Sequence, residues 1–236
     1  MLKTLDNKIL IFSDLDNTLW QSNKTNKLLD INETIKISNE ENSFMDEKQV
    51  WLYNFLQKDN ALFIPTTARN LEQYNRTFLK ERNYPVIILN LGCTLLLNGE
   101  IDKEWNNIIE NMFQKIDYTK ETLKEINKKL LEKFNIELEI EKHPYAYKKI
   151  NDIILFKEVE QFLIENKHND AIEIANSRNV IFYKPIELDK SICVSYVIEK
   201  MKPKLSIGLG DSFMDKEFLK KTDFFFIPKN SELGKL

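Results

Sequence analysis

Glycine and proline are scarce in this chain, five and six among 236 residues. That excludes collagen-like and low-complexity architectures and leaves asparagine, aspartate and serine to supply most turns. Cysteine is scarcer still. Cys93 and Cys193 are too few for a disulfide framework, and without a Cys-x-x-Cys spacing they suggest neither zinc nor redox chemistry. Two buried, reduced thiols are expected. No apolar run reaches the roughly 18 residues of a membrane span, and Met1 to Phe12 lacks the basic segment, apolar stretch and small-residue cleavage site of a secretory signal. A cytoplasmic protein is expected. Neither sign of charge dominates: 34 basic and 37 acidic residues give a net charge of −3, which offers no long-range attraction to nucleic acid or anionic lipid. Neither is expected as a partner.

What is present is ample material for a core, with 42% hydrophobic and 11% aromatic residues. At about 150 residues per domain, the length predicts one large domain or a domain carrying a sizeable insertion. Lys8 to Ser13 (KILIFS) reads as a buried parallel strand followed at once by the carboxylate cluster Asp14-Leu15-Asp16-Asn17-Thr18. The polar stretch from Gln21 to Ser43 reads as a surface flap or hairpin. Helix then strand follows twice: Asp46 to Lys58 with Ala61 to Ile64, and Leu71 to Lys80 with Val86 to Leu89. Such alternation predicts an α/β fold with a doubly wound parallel sheet. From about 102 to 184 the texture changes to lysine- and glutamate-rich helices, a further helix near Phe156 to Asn166 and several strand-like runs, the last two turned by Asn176 to Asn179. This block reads as an inserted α+β domain, leaving 1–101 and 185–236 as the core. After it come a helix from Ser191, a strand at Leu205 to Leu209 and a last strand near Asp223 to Pro228.

Three of the expected parallel strands end in polar clusters, Asp14 to Thr18, Thr66 to Arg69 and Gly210 to Asp215. The C-terminal edge of an open α/β sheet is where ligands bind. Side chains two apart on a strand share a face at about 6.5 to 7 Å, so Asp14 and Asp16 could address one site. Massed carboxylates repel one another and any anionic substrate, and the usual remedy is a hard divalent cation with oxygen ligands, typically magnesium. Asp211 and Asp215 would add to its charge, Lys190 would neutralise phosphate oxygens, and the Thr67 hydroxyl would donate a hydrogen bond. Together these parts suit phosphoryl transfer.

In order and spacing these motifs resemble the haloacid-dehalogenase superfamily of aspartate-nucleophile phosphatases, especially its sugar-phosphatase, sucrose-phosphatase and mannosylglycerate-phosphatase branch. The first motif is Ile9 to Leu19 (ILIFSDLDNTL), the second Phe63 to Arg69 (FIPTTAR), the third Lys190 and the fourth Gly208 to Asp215 (GLGDSFMD). The resemblance implies a Rossmann-like core and a cap domain, the block from about 102 to 184, that lies over the site and reads the leaving group. It implies that Asp14 is the nucleophile and Asp16 the acid and base. Magnesium would be held by the Asp14 carboxylate, the Asp16 backbone carbonyl and Asp211, with Asp215 beside it. Thr67 and Lys190 would hold the phosphoryl group, and Arg69 and Asn90 fall near the substrate. Two positions depart from the pattern. Met214 stands where the fourth motif usually has asparagine, so a hydrogen bond there must be lost or replaced, and Ala68 stands where the second commonly has glycine.

An isolated Asp-x-Asp is more often a turn or cap than a site, and Asp215 could merely cap the following helix; four ordered motifs reverse those odds. Lys184 is the rival of Lys190 for the lysine role. His143 and His168 read as surface residues, and Trp20, Trp51 and Trp105 as packing residues, with Trp20 close enough behind the first motif to border a substrate. The functional expectation is a magnesium-dependent phosphatase acting on a small phosphorylated metabolite such as a sugar phosphate. Its alternatives are a phosphomutase and a non-catalytic phosphate- or metal-binding regulatory module.

Overall fold

The computed structural model describes residues 8–22, 35–36, 43–57, 60–115, 120–143 and 145–235. The first strand, β1 (Ile9–Ser13), is almost wholly buried. Most of the expected flap lies outside the described residues. Its described parts are β2 (Gln21–Ser22), β3 (Ile35–Lys36) and β4 (Ser43–Met45), a small antiparallel sheet in the order β2-β4-β3. Helix α1 (Glu47–Leu56) starts at a capping box in which Asp46 accepts from Gln49 N and the Gln49 side chain accepts from Asp46 N. Strand β5 (Ala61–Pro65) follows. Helix α2 (Leu71–Asn75) is shorter than the expected Leu71 to Lys80, because Thr77 adopts an extended backbone and turns its hydroxyl back onto Tyr74 O at 2.8 Å. A 3₁₀ turn over Phe78–Arg82 completes the segment. Strands β6 (Val86–Leu89), β7 (Thr94–Leu97) and β8 (Glu100–Ile101) then form an antiparallel meander.

Next come α3 (Lys103–Gln114), α4 (Lys120–Phe134), β9 (Glu139–Ile140), β10 (Ala146–Lys149), α5 (Ile153–Glu165), β11 (Ile172–Ser177) and β12 (Val180–Pro185). The last two make the hairpin expected around Asn176 to Asn179. Helix α5 begins three residues before the expected Phe156, since the Asp152 carboxylate accepts from Ile154 N and Leu155 N and fixes its first turn. The remaining elements are α6 (Lys190–Met201), β13 (Leu205–Leu209), α7 (Lys216–Leu219) and β14 (Phe224–Phe226).

By internal packing the chain divides into two units, Met1–Asn106 with Asp189–Leu236, and Asn107–Leu188. These bounds fall a few residues later than the expected 102 and 184. The first unit is built on a parallel sheet in the order β14-β13-β1-β5, in line with the α/β expectation. Its core gathers Leu15, Leu19, Trp20, Phe63, Leu89 and Leu209. The second unit has an antiparallel sheet in the order β11-β12-β10-β9 and a core of its own that includes Leu123, Leu130, Val159, Leu163, Ile181 and Tyr183. There the Asn127 side chain both donates to Leu138 O and accepts from Leu138 N, so a buried amide is satisfied at both ends. Among the described residues no helix is long and apolar enough to cross a membrane.

Two expectations about single residues are corrected. His143 is buried, only 6% exposed, and stacks on Phe113, whereas His168 is exposed as expected. Trp51 is 72% exposed on α1, while Trp20 and Trp105 are buried. The helical spacing around Trp51 identified the element without revealing which face it buries. Both cysteines are buried and outside any disulfide.

Candidate active site

The parallel register sets the site. Ser13 lies opposite Leu209 on β13 and Pro65 on β5, so the three strands end level. Backbone pairing continues one step beyond them: Asp14 N donates to Leu209 O, Thr66 N to Ser13 O and Thr67 N to Ile88 O. The residues that follow, Asp14, Thr67 and Asp211, therefore emerge along one sheet edge. Lys190 reaches them from the first turn of α6, whose start is fixed by Asp189 accepting from Ser191 N at 2.6 Å. Gly92 permits that approach. Its φ is +95°, and an added Cβ would come within 2.9 Å of Asp189 O.

Lys190 is 3% exposed and donates to Asp14 Oδ1 at 2.5 Å and Asp215 Oδ1 at 2.7 Å. Thr18 Oγ1 donates to Asp14 Oδ2 at 3.1 Å and lies 3.5 Å from Asp211 Oδ1. Asp215 does not cap α7 with its side chain. Instead its Oδ2 accepts from Asp211 N, Ser212 N and Ser212 Oγ, which fastens the loop after β13. Gly210 makes room for it, because a Cβ there would stand 2.5 Å from the Asp215 Cβ.

One carboxylate oxygen each from Asp14, Asp211 and Asp215 lies within 4.8 Å of the others, and all three residues are buried. Three carboxylates against the single ammonium of Lys190 leave an excess of negative charge, which suits a divalent cation with hard oxygen ligands. The strain shows in Asp14. Burial pushes its carboxyl well above the usual range; Lys190 pulls it down, while Asp215, Asp211 and Asp16 push it further up. Burial lowers the pKa of the Lys190 ammonium, but Asp14 and Asp215 more than offset this and hold it charged.

Asp16 is outside this group of three carboxylates. Arg69 grips it with a fork, Nε to Oδ2 and Nη2 to Oδ1, both at 2.7 Å, and Trp20 Nε1 donates to Oδ1 at 3.0 Å. Although burial raises its carboxyl, Arg69 outweighs burial and holds it below the ordinary carboxylate value. The residue is only partly enclosed, with 41% of its side chain exposed. Thr67 Oγ1 accepts from Arg69 N at 3.2 Å, and Arg69 O accepts from Asn90 N at 2.9 Å, so the second motif and the end of β6 are stitched together beside the ion pair. The Asn90 side chain donates to Thr94 Oγ1. Lys184, the rival lysine, pairs with Glu173 in the second unit.

The structure thus gathers Asp14, Asp211, Asp215 and Lys190 into one cluster, with Asp16, Arg69, Thr67 and Asn90 linked next to it. Two residues in these contacts carried no role in the sequence reading, Thr18 and Ser212, and a third, Trp20, was read for packing or for bordering a substrate but not as a partner of Asp16. Thr18 and Ser212 lie inside the first and fourth motifs, and their hydroxyls were the available signal. Trp20 is four residues beyond Asp16, but only the turn through Asn17, whose φ is +69°, brings it back alongside.

Solved structures of the same fold include the trehalose-6-phosphate phosphatase C-terminal domain of C. albicans, with TM-score 0.60, 16% identity and coverage of 93% of this chain and 79% of that one. Sucrose-phosphatase of Synechocystis sp. PCC6803, solved with sucrose and phosphate, aligns with TM-score 0.55 and 11% identity over 97% of this chain and 94% of that one. The haloacid dehalogenase-like hydrolase yhjK of Bacillus subtilis gives 0.52 and 16% over 99% and 86%. At such identities the likeness is one of fold. Comparison with curated proteins gives no match. The sequence model of the sucrose-6F-phosphate phosphohydrolase family matches residues 7–227, and with four motifs meeting at one sheet edge the chain belongs to that family, a phosphoric monoester hydrolase in the sugar-phosphatase branch of the haloacid-dehalogenase superfamily.

Proposed function

We propose that the protein is a magnesium-dependent phosphatase that hydrolyses a sugar phosphate through an aspartyl-phosphate on Asp14. The observation that supports this most is the union of Asp14, Asp211, Asp215 and Lys190 across three chain-distant segments. Asp14, Asp211 and Asp215 fit a divalent ion, with the Asp16 carbonyl as a further oxygen donor. When bound, that ion supplies charge neutralisation for the phosphoryl oxygens.

The chain's own residues divide the remaining work. A carboxylate oxygen of Asp14 attacks phosphorus, and its bond forms as the phosphorus–leaving-group bond breaks. Asp16, ionised in the grip of Arg69, is in the form that takes a proton from the water that attacks the aspartyl-phosphate and releases inorganic phosphate; to protonate the departing oxygen in the first step it first takes up a proton as the substrate binds. Lys190 holds Asp14 in place and offsets charge on the phosphoryl group. The Thr67 hydroxyl, an acceptor towards Arg69 N, keeps its own proton for a phosphoryl oxygen. Arg69 and Asn90 border the leaving group, and the inserted block from 102 to 184 acts as the cap that selects it.

The test is release of inorganic phosphate from a panel of sugar phosphates, with and without magnesium. Turnover should vanish on chelation, return with added magnesium and be abolished in Asp14→Asn. Rapid-quench mass spectrometry should find phosphate on Asp14 during turnover. Undiminished activity in Asp14→Asn, or phosphate moved within the sugar rather than released, would defeat the proposal.

A further inference from the structure

Trp20 does pack, as expected. It is 1% exposed and meets Phe78 edge-on with ring centroids 6.3 Å apart. Yet a packing role would be met by phenylalanine, and the indole does more. Its Nε1–H donates to Asp16 Oδ1 at 3.0 Å, and the Arg69 guanidinium carbon lies 5.8 Å from its ring centroid. Arg69 holds the same carboxylate through its two-pronged fork. Trp20 therefore touches both members of the ion pair. The backbone commits it to this place, since Asn17 N donates to Trp20 O and Trp20 N to Leu15 O.

We propose that Trp20 is a positioning residue that decides which oxygen of Asp16 stays open for proton exchange. This deepens the function proposed above and rests on its reading of Asp16 as the proton-transfer group. Each carboxylate oxygen has about two lone-pair sites. Oδ1 receives two donors, Trp20 Nε1 and Arg69 Nη2, whereas Oδ2 receives only Arg69 Nε among the described contacts. Proton exchange accordingly runs through Oδ2. In the first step Asp16 must enter protonated, against the pull of the Arg69 fork, with the proton taken up from solvent as the substrate binds; the Oδ2–H bond then breaks as the leaving oxygen takes that proton, while the Asp14–phosphorus bond forms and the phosphorus–leaving-group bond breaks. In the second, Oδ2 takes a proton from water as the water oxygen bonds to phosphorus and releases Asp14. Without the indole N–H, Oδ1 regains an open site, a proton can settle on either oxygen, and alignment is lost.

The experiment compares kcat/KM of wild type, Trp20→Phe and Asp16→Asn, all with magnesium, on a hexose 6-phosphate, phenyl phosphate and 4-nitrophenyl phosphate. These probes differ in how much their leaving oxygens need a proton. Trp20→Phe keeps an aromatic ring but removes the donor. Its kcat/KM should fall about tenfold on the hexose 6-phosphate, the scale of one hydrogen bond to a charged group, and stay within about twofold on 4-nitrophenyl phosphate. An equal loss on all three probes would mean a structural role only, and no loss on any would mean none; either overturns the inference. A melting curve monitors folding. Should Trp20→Phe fold poorly, the benzothienyl analogue of tryptophan at position 20 removes the N–H at constant shape and must give the same split. Asp16→Asn separates the two levels. If it shows the leaving-group split and the Trp20 variants do not, the inference alone fails. If Asp16→Asn shows no split, the assignment of Asp16 fails and this inference falls with it.

Discussion

Single atoms decide much of this site. Gly210 is the clearest case, because a methyl group there would collide with the Cβ of Asp215. Asp215 holds Lys190 with one oxygen and the Asp211–Ser212 backbone with the other, so its displacement would loosen a cation and a candidate metal ligand together. Gly210→Ala should cost about 1–3 kcal/mol of stability, the scale of overpacking in a close-packed interior. Phosphatase activity should fall far more than stability does. Thermal melts and phosphate release on the same sample would check this, and a variant with wild-type activity would show that Asp215 tolerates the shift. Met214 belongs to the same scale. The hydrogen bonds expected of the usual asparagine are absent from its side chain, and Ser212 Oγ supplies one to Asp215 next door.

At the scale of elements, the start of α6 is the sensitive joint. Gly92 combines a left-handed backbone with a close approach to Asp189 O, so Gly92→Ala incurs both conformational strain and a clash. Stability should drop by roughly 1–3 kcal/mol, and activity should fall with it because Lys190 is the first residue of the helix pushed away. Gly99 also has a positive φ, at +84°, but nothing lies near its added Cβ. Gly99→Ala serves as the control, expected to lose stability with little loss of activity per folded molecule. The parallel strands and the carboxylate cluster were legible in the sequence because apolar runs and polar strand ends are local signals. Helix ends were less so. The Thr77 back-bond that cuts α2 short and the Asp152 cap that starts α5 early are side-chain choices that hydrophobic periodicity does not register. The polar neighbours of His143 likewise suggested exposure, but tertiary packing against Phe113 buries it.

On the scale of the whole molecule, His143 gives the second unit its own response to acid. Burial lowers its pKa, Lys142 and Lys120 lower it further and Glu110 opposes them, leaving the folded value below the ordinary 6.5. Above about pH 6.5 the ring is neutral whether the chain is folded or not, and nothing changes. As the pH falls below that, the unfolded chain takes up a proton that the folded chain refuses, so stability declines until the folded pKa is reached and then levels off. His143→Phe, which keeps the stack on Phe113, should flatten this decline in melting temperature between neutral and mildly acidic pH. An identical slope in the variant would assign the acid response elsewhere. The separate core of this unit also bears on how the enzyme comes into being. Lys190 and Asp14 are 176 positions apart in sequence, and bringing such distant segments together carries an entropic cost that grows with the length of free chain between them. Because residues 107–188 can condense around their own core, much of that tether contracts beforehand. The search that joins Asp14 to Lys190 is thereby shortened by the length of that unit, with residues 15–106 the main stretch still to be ordered between them, and during synthesis it cannot finish until β13, the partner of β1, has emerged.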